Sequence, residues 1–220
     1  MAVKYLTNAK INLLLDITGV LPNGYHAIHT VMQSVDLADE VTVERTAAGI
    51  AVTCSDAAIP VGEQNICHKA AALFLEAAQC RDGVRVHIEK NIPAGAGMAG
   101  GSADAAGTLL ALNALCGEPL PQAALFRLGL QCGADVPFCL QGGMALCQNM
   151  GEVLSPLPPM EGVFIVIAKG AAGVVTKEAY AALDKAAWLR HPERDRYLFP
   201  AAAGDSAQDL PLGANVFEQA

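Results

Sequence analysis

Apolar and polar positions between Tyr5 and Ile17 follow a largely alternating, β-branched pattern around Lys10 and Asn12, which predicts a strand. Leu21-Pro22-Asn23-Gly24 is a turn, because Asn-Gly reaches positive φ at little cost. Val31 to Leu37 predicts a second strand. Ala38-Asp39-Glu40 then reads as a short turn, with Val41 to Glu44 pairing back as the other arm of a hairpin. Ile66, Ala70, Leu73, Phe74 and Ala77 recur at helical spacing and predict an amphipathic helix over Glu63 to Gln79. Val84 to Ile88 alternates as a short, half-exposed strand. Prolines near Ser155 to Pro159 predict a boundary, and Val163 to Ala168 a buried strand opening a second unit. Thr176 to Leu189 carries Tyr180, Leu183, Ala187 and Trp188 at helical spacing. Arg190 to Arg196 reads as a charged surface turn, Pro200 to Pro211 as a mobile loop, and Asn215 to Ala220 as the start of a helix.

One stretch departs from the rest in polarity. Residues 91–150 contain four charged side chains, Asp104, Glu118, Arg127 and Asp135. Such a segment is mostly interior, where an unpaired carboxylate is costly, so an acid there is paired, capping a helix or engaged in chemistry. The whole chain of 220 residues is 53% hydrophobic, enough to offset the cost of ordering and to exclude disorder. Its longest strongly apolar run is Val163 to Ala168, far short of the ~20 residues a membrane helix needs. The first residues lack the basic and apolar stretches of a signal peptide, so a cytoplasmic protein is expected. Fourteen basic against 22 acidic residues, a net charge of −8, argue against nucleic-acid binding through a broad basic face. Seven cysteines without a Cys-x-x-Cys read as free, small hydrophobes in a reducing compartment, and no metal site is expected.

The most informative stretch is Pro93-Ala94-Gly95-Ala96-Gly97-Met98-Ala99-Gly100-Gly101-Ser102-Ala103-Asp104, between a strand and an alanine-rich helix that begins near Ser102 and ends near Asn113. Glycines let backbone approach a ligand, and a helix N-terminus offers unpaired N–H groups; together they make an anion site, most naturally for phosphate. Gly95-x-Gly97-x-x-Gly100 matches the dinucleotide fingerprint, but Glu89 to Pro93 intervene between strand and loop, and no second strand ending in an acid follows. The P-loop pattern fails because Gly101 stands where lysine is required. A tight helix-packing turn is the bland alternative.

The loop Pro-x-x-x-Gly-Met-x-Gly-Gly-Ser-x-Asp-Ala-Ala resembles the nucleotide loop of the GHMP kinases, small-metabolite kinases without a Walker lysine. Ala9 to Leu13, Asn23 to His26, Gln33 to Asp39 and Gly133 to Phe138 are similar to blocks of one branch, which phosphorylates an alcohol carrying a cytidine diphosphate group. The likeness runs in order over most of residues 1–180. It implies an α+β, two-domain GHMP kinase fold with the site between the domains. Residues 1–155 would form the N-terminal, ATP-binding domain, like domain 2 of ribosomal protein S5. Residues 160–220 would form an incomplete, partly ferredoxin-like C-terminal domain.

The same resemblance implies ATP and Mg2+ as cofactors and residues 93 to 103 as the nucleotide loop. Asp135 would be the base that takes the hydroxyl proton, and Lys10 would keep it ionised and offset developing charge. Their ordinary alternatives are an N-cap carboxylate and a surface lysine. Asn12 falls on the same strand face as Lys10. Tyr25 and His26 would contact the cytidine, with Thr176 and Tyr180 as its second wall, although Tyr180 also reads as a core aromatic. Mg2+ would be held by phosphates and oxygen ligands, with no protein ligand assigned. His29, His68, His87 and His191 match no family role. Ala103 replaces a second serine and Met98 a leucine of many relatives. Relatives continue past the Asn-x-x-Glu block that Asn215 to Glu218 resembles, which implies a C-terminally truncated chain, less stable than a full-length one. The expected chain is a monomer or homodimer that takes a small-molecule substrate and binds neither nucleic acid nor membrane. The rivals are another superfamily kinase, acting on homoserine or mevalonate, and a nucleotide-binding fragment without turnover.

Overall fold

The computed structural model describes residues 1–160, 162–169 and 176–185. The elements are strands β1 (Ala2–Val20), β2 (His26–Thr46) and β3 (Ile50–Cys54), helix α1 (Ile66–Ala77), strand β4 (Gly83–Glu89) and helices α2 (Gly100–Leu115), α3 (Gln122–Cys132) and α4 (Val136–Gln141). Strands β5 (Met144–Asn149) and β6 (Val153–Leu157) and helix α5 (Thr176–Lys185) follow. Two compact units interleave along the chain. One holds Met1–Ala9, Val35–Ala94 and Met98–Gly142; the other holds Lys10–Ser34, Gly95–Gly97 and the described part of Gly143–Ala220.

In the first unit β2 and β4 run antiparallel, with Val41 opposite Ile88 and Val43 opposite Val86. Strand β3 lies parallel to β4, Val52 opposite Val86. A parallel pair needs a crossover, which α1 supplies. Asn65 caps α1, its Oδ1 accepting the N–H of Cys67 at 2.8 Å. The inward row Val84, Val86 and Ile88 is buried, and the outward Arg85 and Glu89 are exposed, as the alternation predicts. These strands and α1 close on α2, which is buried on nearly every side, its polar Asp104, Thr108 and Asn113 included. That is the pattern of a central helix rather than a surface one. Gly107 permits the close approach: a Cβ there would lie 2.2 Å from Thr7 Cγ2 and 3.2 Å from Val41 Cγ2.

The second unit is built on the other ends of β1 and β2. Strand β2 pairs antiparallel with β5, Ile28 opposite Asn149 through Gln33 opposite Met144. Strand β5 pairs with β6, Met144 opposite Leu157 through Gln148 opposite Val153. The turn at Leu21 to Gly24 forms as expected: Gly24 takes φ +82° and its N–H bonds Leu21 O at 2.9 Å.

Two expectations are corrected. Ala38-Asp39-Glu40 is no turn; β2 is one strand of 21 residues. Asp39 can sit inside it because its carboxylate is fully buried and fully engaged, accepting the N–H groups of Asn91 and Ile92 and an ammonium proton of Lys90. The prolines stop regular structure where expected: β6 ends at Leu157, immediately before Pro158 and Pro159. Pro156 within β6 is tolerated despite its missing N–H, because β5 is the one strand that pairs with β6 among the described residues. Val163 to Ala168 is neither strand nor buried, and Phe164 and Val166 are almost wholly exposed. Apolarity supplies a tendency to be covered, and among the described residues no strand pairs with this run. The expectations for residues 186–220, including the end of the last helix at Leu189, the charged turn, the loop from Pro200 and the final helix, lie outside the described residues.

Candidate active site

The glycine-rich loop leaves β4 through Lys90 and Asn91 and delivers the chain to α2. Gly95, Gly97 and Ala99 take φ of +65°, +69° and +58°. A left-handed alanine costs of order 1 kcal/mol relative to glycine. This strain sits at the residue preceding α2, as at many functional turns. Residues Pro93, Ala94, Gly95 and Gly97 are exposed and Met98 is buried, so the methionine anchors an otherwise open loop. No side chain caps α2, which leaves its first N–H groups to an anion. Ala103 closes the first turn: its methyl is fully buried and its N–H bonds Ala99 O at 2.8 Å. Gly100, Gly101 and Ser102 are therefore the positions of the turn that a phosphate can reach.

Asp104 does not cap the helix either. Its carboxylate accepts a hydrogen bond from Lys90 Nζ at 2.9 Å, and Lys90 also bonds Asp39. Burial pushes the Asp104 carboxyl up to about 7, with Lys90 pulling it down and Asp39 adding to the rise. Lys90 lies outside every motif block, and Asp39 closes the block Gln33 to Asp39 without a role attached to it. The signal that could have found them is physical: a lysine next to a charge-poor segment, and an acid flanked by apolar strand residues, each need a partner.

Asp135 lies at the N-cap position of the short helix α4, yet its side chain makes no capping bond. The turn that carries it lies close to the nucleotide loop. A Cβ on Gly133 would lie 3.9 Å from Ser102 Oγ and 3.7 Å from Ile66 Cδ1.

In the second unit Lys10 is 7% exposed and donates to Asn12 Oδ1 at 2.7 Å. Asn12 Nδ2 donates to Thr30 Oγ1 at 2.7 Å, and Thr30 Oγ1 donates to Leu14 O. This relay from β1 to β2 holds the ammonium in place, and two residues of spacing put both side chains on one strand face. The lysine is thus buried and oriented, unlike the solvated default for its type.

His26 stacks on Tyr180 with ring centroids 4.6 Å apart and planes at 27°. Its Nε2 lies 2.8 Å from Asp184 Oδ1, a partner from α5 that motif reading missed. A base would need about 7 Å between the rings, twice the van der Waals contact distance. In this arrangement the imidazole offers its edge rather than one face of a sandwich. Tyr25, beside the turn, is 62% exposed. Thr176 begins α5, and its side chain lies outside the described set. Lys10 and Asn12 meet on one strand face as their spacing predicts, whereas His26 and Tyr180, expected on two walls of one pocket, touch each other directly.

A glycine-rich loop leading into an uncapped helix, without a Walker lysine, fits the nucleotide loop expected of the GHMP kinases. The model of the GHMP kinases N terminal domain matches residues 65–143, the span from the cap of α1 to the start of β5. A 4-diphosphocytidyl-2-C-methyl-D-erythritol kinase from Clostridium botulinum (strain Eklund 17B / Type B) is 43% identical over 86% of this chain and 68% of its own length. One from Acetivibrio thermocellus is 44% identical over 83% of this chain and 64% of its own. A solved 4-(cytidine 5'-diphospho)-2C-methyl-D-erythritol kinase matches with a TM-score of 0.64 and 39% identity, covering 82% of this chain and 64% of the other. The chain belongs to the 4-diphosphocytidyl-2-C-methyl-D-erythritol kinase family of the GHMP kinases. It spans about two thirds of the length of these relatives.

Proposed function

We propose that this chain carries the catalytic groups for ATP-dependent phosphorylation of the 2-hydroxyl of 4-diphosphocytidyl-2-C-methyl-D-erythritol, a step of the non-mevalonate route to isoprenoid precursors. The observation that carries the reading is the loop from Pro93 to Ser102, exposed at Pro93, Ala94, Gly95, Gly97 and Gly101 and ending on an uncapped helix. Phosphoryl transfer demands little covalent chemistry of a protein: it needs a positioned phosphate, neutralised charge and an oriented hydroxyl. In this reading Gly100, Gly101 and Ser102 hold the phosphates through backbone N–H groups. Asp135 takes the proton from the attacking hydroxyl, a role worth ~10²–10⁴-fold in rate. Lys10, held by Asn12, stabilises the developing alkoxide.

Tyr25, His26, Thr176 and Tyr180 recognise the cytidine. His26 uses the ring nitrogen that is not on Asp184 for the base edge, and Tyr25 supplies an open ring for stacking. Among the described residues no group of three or more His, Cys, Asp or Glu gathers around a metal position. Ser102, the one hydroxyl residue of the loop, is an oxygen donor of the kind that fits an Mg2+ carried by the ATP phosphates. When bound, the ion neutralises phosphate charge. The reading also carries a cytoplasmic enzyme acting on a free metabolite; no helix among the described residues is long and apolar enough to cross a membrane.

Substrate competition tests it. With Mg-ATP, the cytidine-bearing alcohol should outcompete homoserine and mevalonate by at least tenfold in kcat/KM, and CDP should inhibit. Equal use of the three alcohols would move the chain to another branch of the superfamily. Nucleotide binding without turnover would leave it a binding fragment.

A further inference from the structure

Asp39, Lys90 and Asp104 make a buried cluster at the base of the glycine-rich loop. Asp39 Oδ1 accepts the N–H groups of Asn91 at 2.6 Å and Ile92 at 2.8 Å, the residues through which the chain enters the loop. Asp104 sits on α2 just beyond the residues by which the loop ends. Lys90 Nζ bonds both carboxylates and so ties entrance to exit. The side chains of Lys90, Asp39 and Asp104 are 6%, 0% and 4% exposed. A Cβ on Gly100 would lie 3.1 Å from Lys90 Nζ, so the ammonium presses against the backbone that leads α2.

The charge count does not close. Two carboxylates face one ammonium, and Asp104 Oδ1 is buried without a hydrogen-bond partner among the described residues. A buried, half-partnered carboxylate is costly, and a proton removes the excess charge. The titratable groups facing Asp104 are Asp39 from β2, Lys90 after β4, Cys54 from β3 and Cys67 from α1. Burial raises both thiols, which stay neutral, and the two carboxylates keep Lys90 charged despite its burial. Asp104 is the member of the cluster placed to exchange a proton near neutrality.

We propose that Asp104 is a proton-linked positioning residue of the nucleotide loop: the Lys90 clamp holds the loop in register, and binding of the ATP phosphates draws a proton from solvent onto Asp104. This rests on reading the loop as the phosphate site. A phosphate on the N–H groups of Gly100 to Ser102 adds negative charge beside a cluster that already carries an excess, and protonation relieves it. Proton uptake on binding means affinity falls as pH rises. If binding raises the Asp104 pKa by one unit from about 7, the affinity is about sevenfold lower at pH 8.5 than at pH 6. The same shift corresponds to uptake of about half a proton at pH 7.5.

The test is isothermal titration calorimetry of the 220-residue chain with the β,γ-imido analogue of ATP and Mg2+, at pH 7.5 in buffers of different ionisation enthalpy. The wild type is compared with Asp104→Asn, which keeps the shape and an acceptor for Lys90. The wild type should take up about half a proton more than the variant, and the wild-type affinity should fall about sevenfold more between pH 6 and 8.5. Equal proton counts with both proteins binding would overturn the role of Asp104 and leave the nucleotide loop intact. Failure of the folded wild type to bind the analogue at all would overturn the phosphate-site reading and this proposal with it. A residue that merely supports the fold would change the melting temperature and leave the proton count alone.

Discussion

Gly107→Ala sets two known effects against each other. Alanine in a helix interior is favoured over glycine by about 1 kcal/mol. The new methyl, however, would stand 2.2 Å from Thr7 Cγ2 and 3.2 Å from Val41 Cγ2. Thr7 is buried and its hydroxyl bonds the carbonyl of Asp39 at 3.3 Å, so it cannot rotate away without losing that bond. Val41 is fully buried in the same core. Overpacking of this kind costs about 1–3 kcal/mol, and the 2.2 Å approach puts this site at the upper end. The clash wins, and Gly107→Ala should be destabilised by about 1–2 kcal/mol, lowering the melting temperature by roughly 3–6 °C for a chain of this size. Thr7→Ser removes the offending methyl and keeps the hydroxyl, so the double variant should recover most of the loss. Thermal unfolding followed by circular dichroism of the two single variants and the double variant decides it. A rise in stability on Gly107→Ala alone would refute the close packing of α2 on β1 and β2. Failure of Thr7→Ser to rescue would refute the assigned contact.

Asp104 binds its proton more tightly in the folded chain, about 7 against an ordinary carboxylate near 3.8, so folding takes up a proton and stability falls as pH rises from about 4 to 7. Denaturant titrations across that window should show Asp104→Asn gaining on the wild type as pH rises, with no change in the gap above pH 8; a pH-independent gap would contradict the assignment. Ala99→Gly should be neutral or stabilising by up to about 1 kcal/mol, because φ +58° suits glycine, and Ala99→Val should destabilise; the reverse order in thermal melts would deny the left-handed turn. Tyr180→Ala removes the ring stacked on His26 and should raise KM for the cytidine-bearing alcohol about tenfold while KM for ATP stays put, and a rise in the ATP value alone would place this pair elsewhere in the mechanism.

Much of the first unit could be read from the chain because its signals are local. Val84 to Ile88 alternates and becomes β4, the spacing of Ile66, Ala70 and Phe74 becomes α1, and the charge-poor run from 91 becomes a buried helix. The misread turn at Ala38 to Glu40 shows where locality fails. Asp39 looks like a turn former until Lys90, fifty-one positions away, supplies the charge that lets it stay in a strand. Local spacing also carried the glycine-rich turn before α2 and the contact of Lys10 with Asn12 along one strand face. Lys90 and Asp184 matter through partners that only the fold brings near. Val163 to Ala168 was misread for the complementary reason: six apolar residues announce a wish for cover and say nothing of what provides it.

ADP release with Mg-ATP and 4-diphosphocytidyl-2-C-methyl-D-erythritol, compared between this chain and Asp135→Asn, tests the central claim most directly. Asparagine preserves the shape at the start of α4 and removes the base. The account predicts turnover in the wild type and a loss of about a hundredfold or more in the variant, with ATP affinity unchanged. Turnover that survives the substitution would remove Asp135 from the chemistry and contradict the mechanism.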